Sequence, residues 1–195
     1  MSIYNNFNNS KNYLLKNHYI NLQLFDKCMK QANIFYWVGE GTALGFIREG
    51  GIIEGDSDVD VGMYYENKEK YYEICLPLLL QNGFIVMRDT PHAIIKNRCH
   101  IDVDFIGKGY PAMTYRWPEL ADDWIHLIEP FSKKIVKDVE YNVPSINYII
   151  YLYGEDYMTP KSNFKPWDSK NPKWTNPPEN KIKDLIQHFL YTNMK

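Results

Sequence analysis

The chain has 195 residues, 45% of them hydrophobic and 24% charged, which suits one folded domain with a core of ordinary size. A net charge of −2 excludes a general nucleic-acid binder, which carries a basic excess. No apolar run reaches the roughly 20 residues needed to cross a bilayer, so no membrane span is expected.

The first nine residues have neither a basic start nor an apolar segment, so they do not read as a secretory signal, and a cytoplasmic location is expected. Cys28, Cys75 and Cys99 are widely spaced and odd in number, which fits a reducing compartment and offers no Cys-x-x-Cys zinc pair.

Residues 1–10 are polar and asparagine-rich, and a loose arm is expected there. From residue 11 to about 31, Leu14, Leu15, Tyr19, Leu22, Leu24, Phe25, Cys28 and Met29 recur at near-helical spacing. That spacing predicts one amphipathic helix lying on a sheet. The apolar run 35–38 predicts a buried strand. A small-residue turn, Gly39-Glu40-Gly41-Thr42, leads into a short helix through Ala43, Leu44, Phe46 and Ile47, which Gly50 and Gly51 stop.

Acidic and apolar residues then alternate in Asp56-Ser57-Asp58-Val59-Asp60-Val61. On a strand, side chains two positions apart share a face, so Asp58 and Asp60 stand together while Val59 and Val61 enter a core. Asp56 joins the acidic face if the strand begins that early. Carboxylates held side by side repel and raise each other's pKa. A hard divalent cation such as Mg²⁺ offsets that cost, and it commonly shares its carboxylates with substrate phosphates. An EF-hand is excluded, because the sixth and twelfth positions counted from Asp56 are Val61 and Asn67. Upstream, Gly39 and Gly41 let backbone approach a ligand, and N–H groups opening a helix favour an anion. A metal clamp beside a phosphate cradle points to phosphoryl or nucleotidyl transfer.

A second helix is expected from Glu66 to Leu80, with Pro77 predicting a kink or an early stop. Strands are expected at 84–87 and 92–96, with Asp89-Thr90-Pro91 turning between them. Cys99 to Ile106 repeats the acid/apolar alternation and places His100, Asp102 and Asp104 on one face. Residues 125–130 and 134–139 read as short strands. Pro144 starts a helix that Gly154 stops, residues 161–180 form an extended wrap, and 182–190 a last helix.

Gly-Glu-Gly-Thr-Ala-Leu-Gly-Phe-Ile-Arg at 39–48 and Asp-Ser-Asp-Val-Asp-Val-Gly-Met at 56–63 resemble the LicD and fukutin-related branch of the nucleotidyltransferase-fold superfamily. Ile101-Asp102-Val103 is similar to that branch's third acidic motif. So is the Val-Pro that opens a helix ending Tyr-Gly, followed by an aromatic residue and a proline. The likeness runs from about Phe35 to Pro160. It implies an α+β, polymerase-β-like nucleotidyltransferase fold, a small mixed sheet flanked by helices. One domain spans 11–195 in this reading, with its core at about 35–106 and a helical and extended part at 107–195.

The resemblance further implies Mg²⁺-dependent (or Mn²⁺-dependent) transfer of a phospho-alcohol, phosphocholine- or ribitol-phosphate-like, from a CDP-linked donor to a glycan hydroxyl. The implied partners are a CDP-alcohol or other nucleotide donor and a glycan or sugar acceptor. Asp58, Asp60 and Asp102 become the catalytic and metal-binding carboxylates, with Asp56 and Asp104 as further metal candidates and Asp104 the substitute for Asp102. Gly39, Gly41, Thr42 and Arg48 take the donor phosphates, although Thr42 could instead cap its helix and Arg48 form a surface ion pair. Lys96 and Arg98 either neutralise donor phosphates or solvate an edge strand. His100 is either a hydrogen-bond partner of the acidic group or structural. Trp117, Trp124, Trp167 and Trp174 stack on a ligand or serve as core and lid residues, and Glu40 has no assigned role. Two rival readings stand: transfer of NMP from an NTP to a small molecule, protein or glycan, with release of pyrophosphate, and a non-catalytic nucleotide-binding module.

Overall fold

A mixed sheet forms the centre of the computed structural model, which describes residues 3–87, 90–107 and 124–160. Its strands are β1 (Tyr36–Val38), β2 (Asp58–Tyr64), β3 (Ile85–Met87), β4 (Thr90–Lys96) and β5 (Cys99–Ile106). They lie in the order β1-β2-β5-β4-β3. β2 and β5 are parallel and the other neighbours antiparallel. Parallel neighbours need a long crossover, and the chain between β2 and β5 supplies it with a helical run and the β3–β4 hairpin.

The acid/apolar alternation does what its period predicts. Val59, Val61, Ile101, Val103 and Phe105 are buried, while Asp58, Asp60, His100, Asp102 and Asp104 between them keep solvent contact. The apolar face packs in one core with Leu22, Phe25 and Met29 of α1 (Ile3–Gln31). α1 is already helical at Ile3, where the composition predicts a loose arm. Adding residues to a helix that packing has nucleated is far easier than starting one, so a weak helix-forming stretch can be carried along. Asn21 ties α1 to the sheet: its Nδ2 donates to the carbonyls of Lys96 (2.7 Å) and Cys99 (3.2 Å). Those carbonyls flank the β4–β5 turn, where Asn97 and Arg98 both adopt positive φ (52° and 65°).

α2 (Glu40–Arg48) follows β1 directly. After β2, a 3-10 turn (Tyr65–Asn67), α3 (Lys68–Lys70), a π turn (Tyr71–Cys75) and α4 (Leu76–Gln81) form the run expected as one helix. Pro77 does not end the run but stands in the first turn of α4, where the run changes from π to α. The missing N–H is absorbed by the π turn just before, where the bonding register is one residue wider.

The apolar run near 125–130 is a helix, α5 (Trp124–Ile128), and not a strand. Short apolar runs do not distinguish the two. The stretch at 134–139 is split by a turn at Lys137 and Asp138, both at positive φ, into the hairpin β6 (Ser132–Val136) and β7 (Val139–Val143). Asn142 Nδ2 donates to the Tyr36 carbonyl at 2.5 Å, fastening β7 to β1. The Tyr64 hydroxyl donates to the Glu129 carboxylate and joins β2 to the end of α5.

α6 (Ile146–Tyr153) begins after Pro144 and Ser145, whose hydroxyl caps it by accepting from the Tyr148 N–H. It ends at Gly154, φ 87°, where a residue without Cβ is needed. Cys28, Cys75 and Cys99 are free and buried. Among the described residues no helix is long and apolar enough to cross a membrane. The expectations for Asp89, for Trp117, Trp167 and Trp174, for the wrap at 161–180 and for the helix at 182–190 lie outside the described residues.

Candidate active site

The parallel register of β2 and β5 builds the site. Asp58 stands opposite His100, Asp60 opposite Asp102, and Gly62 opposite Asp104. Facing residues of paired strands project on the same side, so one face of the sheet carries a double row of acidic side chains.

The start of α2 lies against this row. The Gly39 N–H donates to the Asp60 carbonyl at 2.9 Å, and the Asp60 N–H donates to Thr42 Oγ1 at 2.9 Å. A Cβ added to Gly41 would lie 3.1 Å from Asp56 Oδ2 and 3.5 Å from Asp60 Oδ2. The glycine bend therefore sits in contact with two carboxylates, closer than a side chain would comfortably permit. Glu40 opens α2 at φ 33°, in the left-handed region that costs a non-glycine residue about 1–2 kcal/mol. Its charge is felt at Asp60.

Among the described residues, Asp58, His100 and Asp102 form a group whose ligand atoms, one from each, all lie within 4.8 Å of one another. His100 Nε2 is 3.4 Å from Asp58 Oδ2. All three side chains are part-buried, and two carboxylates with an imidazole are a donor set that fits a divalent cation. Asp60 is not a member of that group. Burial, then the charges of Glu40, Asp58, Asp104 and Asp56, push its carboxyl well above the ordinary range. Burial and the neighbouring Asp58 push Asp56 up to about 6. Negative charge is thus crowded along the row, and a cation would relieve it.

Asp58, Asp60, Asp102 and Asp104 share one face of the sheet, with Gly39 against Asp60 and Gly41 against Asp56 and Asp60. Thr42 is fully buried and its hydroxyl is engaged with the acidic strand. Arg48 stands at the opposite end of α2, about 12 Å along the axis from Glu40. Its guanidinium pairs with Glu49 at 2.6 Å and donates to the Tyr157 carbonyl at 3.4 Å. Lys96 is turned to the Asn82 carbonyl at 2.7 Å, and Arg98 occupies an exposed hairpin turn.

His18 of α1 is a neighbour that a search for acidic motifs passes over. It is 2% exposed, hydrogen-bonded to the Ser57 backbone, and close enough to Asp58 and His100 to feel both. Burial holds it below the usual histidine range, and its Nε2 has no partner among the described residues. The signal was a histidine interrupting the apolar stripe of α1, which marks burial but not what lies opposite.

The mixed sheet, with carboxylates on its parallel pair beside a glycine bend, belongs to a nucleotidyltransferase domain. The chain belongs to the LicD/FKTN/FKRP family, as residues 33–167 match the model described as LicD/FKTN/FKRP, nucleotidyltransferase domain. The ribitol-5-phosphate transferase FKTN of Mus musculus is 27% identical over 172 residues, which is 77% of this chain and 34% of the relative. An uncharacterized protein of Rickettsia prowazekii is 31% identical over 123 residues, covering 60% of this chain and 46% of the relative. The chain thus spans less than half the length of these curated relatives. Among solved structures, ANT(2″)-Ia in complex with adenylyl-2″-tobramycin is similar with 13% identity and a TM-score of 0.48, covering 88% of this chain and 95% of that one.

Proposed function

We propose that this domain transfers a phospho-alcohol from a CDP-linked donor to a sugar hydroxyl of a glycan, with the help of a divalent cation. The observation that carries the reading is an acidic sheet face bearing the Asp58–His100–Asp102 group, with a glycine bend against Asp56 and Asp60 beside it, in a LicD-family chain. The ribitol-5-phosphate transferase among its relatives supports the phospho-alcohol as cargo.

Asp58, His100 and Asp102 would hold the cation. When bound, it supplies positive charge to phosphate oxygens, which is most of what phosphoryl transfer asks of a protein. The N–H groups that open α2 beside Gly41 would face the donor diphosphate, while the Gly39 N–H is held by the Asp60 carbonyl. The acceptor hydroxyl oxygen forms a bond to the distal phosphorus. The bond from that phosphorus to the bridging oxygen breaks, and CMP leaves with the electron pair. The hydroxyl proton passes to an ionised carboxylate of the row.

The test is product analysis by phosphorus NMR with CDP-ribitol, CDP-choline and the four NTPs, each with a sugar acceptor. Release of CMP with a new phosphodiester is expected. Release of pyrophosphate from an NTP would replace this reading with nucleotidyl transfer.

A further inference from the structure

We infer that a cleft on the far side of β1 from the acidic row binds a neutral sugar unit. The cleft lies between the C-terminal end of α1, the segment leading into β1, and the β6–β7 hairpin, and its volume is about 340 Å³. That is at the small end of the roughly 300–1,000 Å³ of ligand sites. Tyr36, in its wall, pairs with Met63 on the buried face of β2, whereas Asp60 belongs to the opposite face.

The groups that line the cleft match such a ligand. Asp26 of α1 is buried and accepts from the Tyr36 hydroxyl at 3.0 Å and from Lys30 Nζ at 2.7 Å. A carboxylate has about four acceptor positions, so these two bonds leave room for hydroxyl donors. On the hairpin, Lys133 and Glu140 pair at 3.1 Å with both side chains more than half exposed, and offer a donor and an acceptor at the rim. Asn142 spends its Nδ2 on the Tyr36 carbonyl and leaves a buried Oδ1 without a partner among the described residues. Such an acceptor costs stability until a hydroxyl reaches it. Phe35 adds an apolar face: it is 42% exposed, and its ring is held by Tyr64, stacked at 5.9 Å, and Phe131, edge-on at 5.2 Å. The C–H face of a sugar packs on such a ring while its hydroxyls bond the polar groups.

Charge decides the class of ligand. Lys30 is paired with Asp26 and Lys133 with Glu140, so the lining is balanced. A phosphate or carboxylate ligand meets Asp26 and Glu140 as like charges, and an apolar one strips both ion pairs of water without replacing it. A polyol brings donors and acceptors together. Phe35 also stacks on Tyr64, which alternation places on the face of Asp58 and Asp60. One glycan is thus able to reach both, with a distal unit in the cleft and the reacting hydroxyl at the row. That link rests on the glycan-acceptor reading above, whereas the cleft's own preference does not.

The experiment is saturation-transfer NMR of the full chain with methyl glycosides of hexoses, pentoses and N-acetylhexosamines, and with inorganic phosphate as the charged control. Transfer to the ring protons of one class of glycoside is expected, with no displacement by phosphate. Phe35→Ala and Glu140→Ala should each weaken that binding about fivefold or more. Glu140 is exposed on the hairpin, so its variant carries the test if Phe35→Ala does not fold by circular dichroism. Binding should persist in Asp58→Asn, which alters the acidic row and not the cleft. No transfer to any glycoside, an affinity unmoved by both cleft variants, loss of binding in Asp58→Asn, or displacement by phosphate would overturn the assignment. Glycoside binding without phospho-alcohol transfer leaves the cleft and removes the proposed reaction, whereas CMP release without glycoside binding does the reverse.

Discussion

The backbone N–H of Asp60 donates to the hydroxyl of Thr42 at 2.9 Å, and Thr42 is fully buried. This bond fastens the first turn of α2 to the acidic strand β2. It fixes the distance between the glycine bend and the carboxylates.

Replacing Thr42→Val keeps the shape and leaves a buried N–H without its acceptor. The expected cost is about 1–3 kcal/mol in urea unfolding, with weaker donor binding because the bend is no longer tethered. Thr42→Ser, which keeps the hydroxyl, should recover most of both.

Gly62 lies under the indole of Trp37. A Cβ there would come 2.4 Å from Trp37 Nε1, and Trp37 itself is completely buried. Gly62→Ala should therefore destabilise the fold by about 1–3 kcal/mol through overpacking. Shifted tryptophan fluorescence in the folded variant would accompany the loss.

Asp56 and Asp60 give the metal-free protein a particular pH dependence. The Asp56 carboxyl is raised from 3.8 to about 6, and Asp60 is raised also. Over that window the folded state holds more protons than the unfolded state, so these groups lower stability as pH rises. In the absence of metal, wild-type Tm should fall relative to that of Asp56→Asn between about pH 4 and pH 6. A saturating divalent cation should raise wild-type Tm more at pH 7 than at pH 5, because it binds the ionised row.

Asp60→Asn is expected to abolish turnover while keeping the fold. Without metal it should melt at a higher temperature than wild type, since one repelling charge is gone. Full activity in Asp60→Asn would remove Asp60 from the chemistry.

Much of this site was legible in the sequence because its strands have period two. The alternation around Asp58–Val61 and Ile101–Asp104 assigned core and site faces before any pairing was known. Alternation does not give register between strands, however, and register is what sets His100 against Asp58. Nor does it say where a carboxylate turns. Asp60 is drawn toward α2 by contacts with Gly39, Gly41 and Thr42 that lie about 20 residues away in sequence. For Arg48 the sequence left two readings open, donor phosphate or ion pair, and the structure shows it paired with Glu49 at the far end of α2. The short run at 125–130 lacked the length to separate helix from strand, and the π turn that accommodates Pro77 has no sequence signature.

Calorimetric titration of the metal-free protein with CDP, with and without Mn²⁺ or Mg²⁺, would probe the partnership of acidic row and glycine bend most directly. Binding should require the divalent ion and should be lost in Asp58→Asn. Equal affinity with and without metal, or unchanged binding in Asp58→Asn, would contradict it.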